Sequence, residues 1–551
     1  MNYKTYMQEV DEQLKQMSEK EKTAWIRQLA RTTKEQNRGV FLERLKQKER
    51  NDFADIDIEA INEWCRQVKA GDVYFERELS EDVGSYYWDN DSYDYFDEYG
   101  IRTGFEKTRK TADSLLNQKS YSQAKAIYDQ LLSLTFTVHD DSMDDWYDVD
   151  LEEAVLDEIL SVEITDLIVQ AAYATYQTEK GHKKAQMIYD YLTRDYAQPI
   201  KLEAVFRIGP EELTDISGFI ENWIQFLLDI DDDQAATLLL EACLYQGGVD
   251  RLIETAEVGY KTHPVLYLHA CTRLLEDKAF NRCESVGLKA LNALPENLVI
   301  RGEIANVTRV SATKLNHQAV VHQCYKLSFQ SHSTLMNFFN LCHLPESKDV
   351  IKDVATQVDR LPEQVQFDRD RNHKQHQTNY LSKNQKNILY FFSGKFKDVY
   401  EQCQKGNTSI DWRYSLRETM TTLFMLLLNQ DTNITKVKQL LSARVINHLD
   451  YQASAEDFLA DFQLWKSKVT VEKDASDYYL SWLRQEVDQH TESIVGEGDR
   501  KNYDQAALLI AGFGETLASR GLIESKVELL DYYKQMHSRK TAFKKACDTL
   551  R

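Results

Sequence analysis

Apolar residues recur every three to four positions along most of the chain, which is the spacing of one face of an α-helix. The first 46 residues carry this pattern twice and are predicted to form two helices, with apolar positions at Trp25, Ile26 and Leu29 and at Phe41, Leu42 and Leu45. Ser18 and Glu21 have the spacing of a capping box at a helix start. A further helix is predicted within residues 47–71, around Trp64 and Cys65.

One pattern of four positions recurs in five places further along the chain. A residue that is aromatic, or in one copy histidine, is followed by small or apolar residues three, seven and ten positions later; the fourth copy lacks the last. An aromatic ring at a helix start can wedge against the preceding helix, and a small residue one turn later lets two helix backbones approach. The pattern predicts helical hairpins. Its copies are Tyr121, Ala124, Tyr128, Leu131; His182, Ala185, Tyr189, Leu192; Phe280, Cys283, Gly287, Ala290; Phe396, Val399, Cys403; and Tyr503, Ala506, Ile510, Phe513.

These five segments resemble the second helix of a tetratricopeptide repeat. Gly394, two residues before Phe396, stands where that family favours glycine in the turn. The first-helix Trp and Leu-Gly positions of the family are mostly unmatched, and a period of about 34 residues is not sustained. The resemblance implies an all-α fold, an α-solenoid of helical hairpins.

Residues 80–100 interrupt the helical pattern. Aromatic residues alternate irregularly with acidic ones, with no period of two or 3.6, which predicts an irregular acidic insertion between helices. The aromatic residues are Tyr86, Tyr87, Trp88, Tyr93, Tyr95, Phe96 and Tyr99. Tyrosine and tryptophan offer a large contact area at low entropic cost, and the acids would select a basic partner. We expect the first six to bind another protein with a basic surface; the alternative is that they fold back and cap the core.

Composition and charge narrow the choice of fold and partner. Only 6 prolines and 20 glycines occur among 551 residues, which favours helices over the many tight turns of sheet proteins. The formal charge is −22, and residues 71–170 hold 25 acidic and 7 basic residues, a net of −18. This charge repels phosphate and argues against broad binding of nucleic acid or anionic membranes. An apolar signal-peptide core and an apolar run of about 18 residues are both missing, so a cytoplasmic protein with reduced thiols is expected.

The scattered cysteines form no C-x-x-C motif and are predicted to be small buried hydrophobic residues. His322, Cys324, Cys342 and His343 are the best candidate for a metal site. Adjacent Cys342 and His343 would point to different faces of a helix, so packed helix residues are the favoured interpretation.

Other chemical motifs are weak. His373 and His376 lie in a polar run without an implied third ligand. The acids from Asp89 to Asp97 resemble a calcium loop but lack its central Gly and final Glu. Motifs for phosphate binding, serine hydrolysis and zinc-dependent hydrolysis are absent from the sequence. We therefore assign no catalytic, cofactor-binding or metal residue and expect no cofactor.

A broader resemblance covers most of the chain. Three stretches are similar to the helical region that follows the zinc-binding module in bacterial SWIM zinc-finger proteins: the acidic tyrosine-rich segment leading into GFEKTRKTADSLLNQKSYSQAKAIYDQLLSL, the helix-like LEEAVLDEILSV with Val155, Ile159 and Val162 on one side, and the C-terminal NYDQAALLIAGFGETLASRGLIESKVELLDYYKQMHSRKTAFKKACDTL. The module itself requires C-x-C followed by C-x-H, and neither occurs here. The resemblance implies a helical region without the zinc finger.

These observations favour a non-catalytic helical-repeat adaptor that binds other proteins. Two alternatives stay open: an acidic mimic of nucleic acid that occupies a DNA-binding protein, and an enzyme of unrecognised type with its site in a groove. The predicted organisation is an N-terminal helical segment, the acidic aromatic loop, a first repeat array, a polar connector and a C-terminal repeat array, at 1–79, 80–100, 101–350, 351–380 and 381–551.

Overall fold

The chain divides into two compact units, Met1–His263 and Pro264–Arg551. Helices predominate in both, and consecutive helices pack against each other, so the predicted fold of helical hairpins is confirmed within each unit. A computed structural model describes residues 3–32, 38–39, 41–42, 57–79, 93–141, 143–194, 200–362, 374–405 and 415–551. No helix in these ranges is both long and apolar enough to cross a bilayer.

The first unit combines helices with one small sheet. Its described helices are α1 (Tyr3–Gln16), α2 (Glu19–Thr32), α3 (Ile58–Lys69), α4 (Ile101–Asn117), α5 (Tyr121–Leu132), α6 (Leu151–Leu156), α7 (Ile164–Thr178), α8 (Gly181–Leu192), α9 (Leu202–Phe206), α10 (Ile216–Leu228) and α11 (Asp233–Gly259), which is kinked at Gly247 and Gly248. Its strands are β1 (Tyr74–Leu79), β2 (Tyr93–Phe96), β3 (Thr135–Asp140) and β4 (Asp145–Asp150).

The N-terminal prediction is confirmed in part. The capping box forms: the Ser18 amide donates to the Glu21 carboxylate at 2.8 Å, and the Glu21 amide donates to the Ser18 hydroxyl at 3.3 Å. This capping box lies at the start of α2. The helix α1 comes before it in the chain. The second predicted helix, at Phe41–Leu45, falls mostly outside the described residues.

The sheet is a correction to the sequence analysis. Its strand order is β2-β1-β3-β4, with β1 and β3 parallel and both outer pairs antiparallel. Strand β2 lies inside residues 80–100, the segment predicted to be irregular. Strand β4 lies in a second acidic stretch, residues 139–153, for which the sequence predicts only the start of the following helix. Both strands are short, and β2 pairs with a strand that ends 14 residues earlier, so neither produces a strong local signal.

The end of β4 leads directly into α6. The Asp150 carboxylate accepts the Glu153 amide at 2.8 Å and completes a capping box, as expected for acids at a helix start. The prediction that the helix extends through Ile159 and Val162 is wrong. It ends at Leu156 because Glu158 has a φ of 60°, a left-handed conformation that breaks the helix.

The second unit is helical throughout its described part. Its α-helices are α12 (Val265–Glu276), α13 (Phe280–Ala293), α14 (Val299–Lys314), α15 (Gln318–Ser331), α16 (Leu335–Leu341), α17 (Ser347–Arg360), α18 (Lys383–Phe392), α19 (Phe396–Gln404), α20 (Leu416–Leu428), α21 (Lys436–Val445), α22 (Ala455–Lys466), α23 (Lys473–Thr491), α24 (Tyr503–Ser519), α25 (Lys526–Met536) and α26 (Thr541–Asp548).

Four helical hairpins share one turn. Two residues before the second helix of each, the backbone adopts positive φ: Lys119 (63°), Lys278 (58°), Asn316 (60°) and Gly394 (89°). The following amide donates back to a carbonyl in the first helix, as in a Schellman motif, for example Lys395 to Tyr390 at 3.0 Å. The predicted pattern therefore marks real hairpins, and all of its small or apolar second positions are buried. The turn at Asn316 is one the sequence analysis missed, because α15 starts with the polar residue Gln318.

All eight cysteines are free and buried, as predicted. They behave as small core residues; the Cys243 thiol, for example, donates to the Thr255 hydroxyl at 3.3 Å. Burial raises the pKa of Cys243 to about 11, which keeps this thiol protonated at neutral pH.

Candidate functional site

The register of the sheet defines two faces, because successive side chains of a strand point to opposite sides. One row across all four strands joins Phe96, Glu76, His139 and Trp146. We call the side that carries this row the outer face. The neighbouring row, which includes Arg77, belongs to the opposite, inner face.

The inner face packs into the core of the first unit. Phe75 and Phe136 are buried there with ring centroids 6.1 Å apart, and Phe105 of α4 lies 6.5 Å from Phe136. This contact explains why β1 and β3 form. An aromatic residue on each strand faces a helix that covers this side of the sheet.

Arg77 organises the polar end of the inner face. Its guanidinium lies 3.4 Å from the centroid of the Tyr93 ring, pairs with the Asp140 carboxylate at 3.3 Å and donates to the Tyr147 hydroxyl at 3.2 Å. Burial, assisted by a hydrogen bond with Tyr147, raises the pKa of Tyr95 to about 12. Tyr93 and Tyr95 thus support the sheet.

The outer face carries a cluster of aromatic rings. Tyr74 is central: its ring centroid lies 4.9 Å from that of Tyr99 and 4.8 Å from that of Trp146. His139 stacks on Trp146 at 4.3 Å. Despite these contacts, Phe96, Tyr99 and Trp146 remain 45%, 49% and 51% exposed. The contacts fix the orientation of the rings and leave much of their surface open to solvent.

Acids surround this cluster. The register places acidic side chains on the outer face at Glu76, Glu78, Asp94, Asp148 and Asp150. Arg77, the one arginine or lysine in the four strands, belongs to the inner face. A hydrogen bond that Tyr74 donates to Tyr99, together with desolvation and the nearby acids, raises the pKa of Tyr74 to about 12, so this phenol stays neutral. The outer face therefore offers neutral aromatic rings and negative charge, and its strands contribute no lysine or arginine to it.

The predicted binding residues divide into three groups. Phe96 is on the outer face, Tyr93 and Tyr95 are on the inner face, and Tyr86, Tyr87 and Trp88 lie outside the described residues. Tyr74, His139 and Trp146 were not predicted as site residues. The period-two alternation of TFTVHD is a signal for the strand that carries His139, whereas YFEREL and DWYDVD, which carry Tyr74 and Trp146, alternate less regularly.

The weaker candidates have structural surroundings. The Asp97 carboxylate accepts the amides of Ile101 at 2.6 Å and Arg102 at 2.8 Å, so this member of the calcium-like acids holds the start of α4. Asp94 is exposed on the outer face, and Asp89 and Asp91 lie outside the described residues.

In the candidate Cys/His set only the two cysteines belong to the core, whereas His322 is half-buried and His343 is exposed. Cys324 and Cys342 are buried in the second unit, and the His343 ring stacks on Tyr325 at 5.9 Å. His376 ends a short 3₁₀ turn, and His373 lies outside the described residues. Across the described ranges, no three His, Cys, Asp or Glu side chains are grouped so that they could hold a metal ion.

Each unit contains an open cleft. The cleft of the first unit, of about 680 Å³, lies between α7 and α9 and is bordered by Asp166, Lys201 and Arg207. The cleft of the second, of about 480 Å³, is bordered by Lys326, Asp353 and Arg360. All of these charged side chains are exposed. Glu203, which also lines the cleft of the first unit, is half-buried.

Comparison with protein families finds no family model that matches this chain. A comparison with curated proteins also finds no match. The site must therefore be interpreted from its own geometry.

Proposed function

We propose that this protein is a non-catalytic adaptor whose outer sheet face binds an arginine- or lysine-rich segment of another protein. One observation carries the proposal: Phe96, Tyr99 and Trp146 are about half exposed on a face with acidic residues and no lysine or arginine from its strands. Exposed aromatic residues next to acids would attract a guanidinium or ammonium group.

The chemistry of recognition combines two interactions. A guanidinium can stack on the free side of Trp146 or Tyr99, a cation–π contact that contributes about 0.5–1 kcal/mol at exposed sites. Glu76 and Glu78 can then accept hydrogen bonds from the same group, with a more favourable geometry for arginine than for lysine. The ring contacts around Tyr74 hold the cluster in place before binding, which lowers the entropic cost of association.

The helical hairpins would supply the framework for further contacts, since stacked helices present extended surfaces to partner proteins. In the same proposal, the chain is a relative of the helical region of SWIM proteins, with tetratricopeptide-like hairpins, and acts in the cytoplasm. The shared hairpin turns at Lys119, Lys278, Asn316 and Gly394 support the repeat character. The mostly exposed charged groups of both clefts favour a binding protein over the alternative of an enzyme.

A peptide titration tests the proposal. The full-length chain is titrated into a fluorescein-labelled peptide of alternating arginine and serine, and fluorescence anisotropy is followed. Trp146→Ala should weaken binding about two- to fivefold, equivalent to about 0.5–1 kcal/mol. Val258→Ala, which truncates an exposed side chain on α11, is the matched control and should bind as the parent does. A peptide of alternating glutamate and serine should not bind.

The result that would contradict the proposal is equally concrete. If Trp146→Ala and Phe96→Ala both retain the parent affinity, binding depends on diffuse charge alone and the aromatic face has no role. If the arginine peptide does not bind to the parent at low salt, the outer face is not a receptor for basic segments.

A further inference from the structure

Helix α2 is amphipathic, and its apolar side is uncovered. None of its 14 residues is buried, and Trp25, the largest, is 52% exposed, with Ile26 and Leu29 also exposed. A helix of this length is only marginally stable in water without a packing partner. The apolar side of α2 is therefore expected to pack against another surface.

The outer sheet face also exposes apolar surface that another element could cover. All-parallel sheets are covered on both sides, and this mixed sheet contains one parallel pair, β1 with β3. Helices cover the inner face, whereas the aromatic rings of the outer face are about half exposed. A helix of 14 residues is roughly 21 Å long, and four strands spaced about 4.8 Å apart span roughly 14 Å, so α2 fits diagonally across this face.

The charges of the two surfaces are opposite. Residues 19–50 contain ten basic and five acidic residues, whereas residues 71–170 have a net charge of −18. Lys22 lies one turn before Trp25 and Ile26, on the same side of α2, where its ammonium pairs with the Glu19 carboxylate at 2.9 Å; on docking it would exchange this partner for an acid of the sheet. The other cations of the segment would assist association at longer range.

We propose that α2 of one copy docks on the outer sheet face of a second copy, and that the exchange is reciprocal. This inference rests on the proposed function, because it names the basic segment that the face receives. Both surfaces lie uncovered within a single chain, which favours a second copy over docking in the same molecule. Reciprocal exchange closes the assembly with twofold symmetry and buries both helices and both faces.

The chain length permits this exchange. Residues 33–57 separate α2 from the start of α3 at Ile58, and a chain of 25 residues has a contour length of up to roughly 80 Å. The helix can thus leave its own unit and reach the sheet of the partner copy.

The test measures the mass of the full-length chain by size-exclusion chromatography with light scattering, over a concentration series. The parent should be a dimer that dissociates at high salt. A helix variant, Trp25→Ser with Leu29→Ser, and a face variant, Phe96→Ala with Trp146→Ala, should each be monomers under the same conditions. Val258→Ser, a substitution at another exposed apolar position of the first unit, should leave the dimer intact. Circular dichroism checks that all variants keep their helix content.

Mixing the two variants is the decisive step. The helix variant has an intact face and the face variant an intact helix, so an equimolar mixture should form a heterodimer through one remaining contact. Dimerisation of either variant alone would overturn the exchange, as would a mixture that stays monomeric or a parent chain that is monomeric at all concentrations. If the parent is monomeric but still binds the arginine peptide, only this inference fails and the proposed function stands.

Discussion

Two tryptophans of this molecule show how differently the same side chain is used. Trp465 of the second unit is 0% exposed, and its indole N–H donates to the Phe392 carbonyl at 2.6 Å. Its ring centroid lies 4.8 Å from that of Phe392 and 5.0 Å from that of Phe462. Trp146 of the sheet is 51% exposed, with one side stacked on His139.

The two tryptophans differ in how completely the ring is enclosed by neighbouring side chains and in whether the surrounding polar atoms have partners within the protein. In the second unit, rings enclose one another and buried polar atoms find internal partners, as where the Tyr451 hydroxyl donates to Asp461 at 2.7 Å. On the outer sheet face the rings touch only along one side, and the acids beside them face solvent. The first arrangement stabilises the fold, and the second is suited to binding.

The largest effect on stability is expected in the enclosed cluster. Trp465→Ala should lower the free energy of unfolding by about 3–5 kcal/mol, because it leaves a cavity and removes the donor to the Phe392 carbonyl. Urea denaturation followed by circular dichroism measures this change. A loss below about 1 kcal/mol would mean that the cluster is not tightly packed, and the contrast with Trp146 would collapse.

A buried ion pair in the same unit gives the next effect. The Arg417 guanidinium contacts the Glu486 carboxylate, which also accepts the Trp482 indole N–H at 2.8 Å. Arg417→Met should destabilise the fold by about 3 kcal/mol or slightly more, because it leaves Glu486 as a nearly uncompensated buried charge.

A double variant provides the control for this ion pair. Arg417→Met with Glu486→Leu should recover most of the lost stability, since a well-packed apolar pair can replace a buried salt bridge. If the double variant is less stable than Arg417→Met alone, the two side chains act independently and the explanation by an uncompensated charge is wrong.

The buried Lys466 of the second unit is expected to make the free energy of unfolding depend on pH. Burial lowers its pKa from 10.5 to about 8, and Lys438 and Arg520 add to the effect. The unfolded chain therefore binds this proton more tightly than the folded chain between pH 8 and 10.5, so the group's contribution to stability rises with pH over this window. The ammonium also donates to the Leu426 carbonyl at 3.0 Å, which opposes the shift.

Comparison with Lys466→Met isolates this contribution. The stability of the parent relative to the variant should increase by about 1–2 kcal/mol from neutral pH to pH 10, as measured by urea denaturation at each pH. Taking the difference cancels the titration of tyrosines and cysteines that both proteins share. A difference that is constant, or that falls as pH rises, would show that Lys466 is not desolvated.

The sequence predicted the helical hairpins because their signal is local. Tyr121, Phe280, Phe396 and Tyr503 each stand at the first residue of a helix, and the residues three positions later are buried. The spacing of a helical face and the packing of small residues both act within a few turns of the chain. Such features can be read without knowing which distant segments come together.

The candidate site could be predicted only in part because its parts are distant in sequence. Phe96 and Trp146 become members of one face through a sheet register that pairs β2 with β1, β1 with β3 and β3 with β4. Strands of four to six residues carry too little alternation to fix such a register. The count of acids and aromatic residues indicated the region, but only the strand pairing separates Phe96 from its inward-facing neighbour Tyr95.

The smallest effect on stability is expected at Trp146. Its substitution gives the most direct test of the comparison between the two tryptophans. Trp146→Ala should change the free energy of unfolding by about 1 kcal/mol, because the side chain loses its ring contacts with His139 and Tyr74 while about half of its surface already faces water. The same substitution should weaken the binding of a basic segment about two- to fivefold. Trp465→Ala is expected to do the reverse, with a large loss of stability and, in protein that remains folded, no change in peptide binding. Measuring both variants in the two assays separates a ring that holds the fold from one that binds a partner; equal losses of stability would mean that the outer face is part of the core.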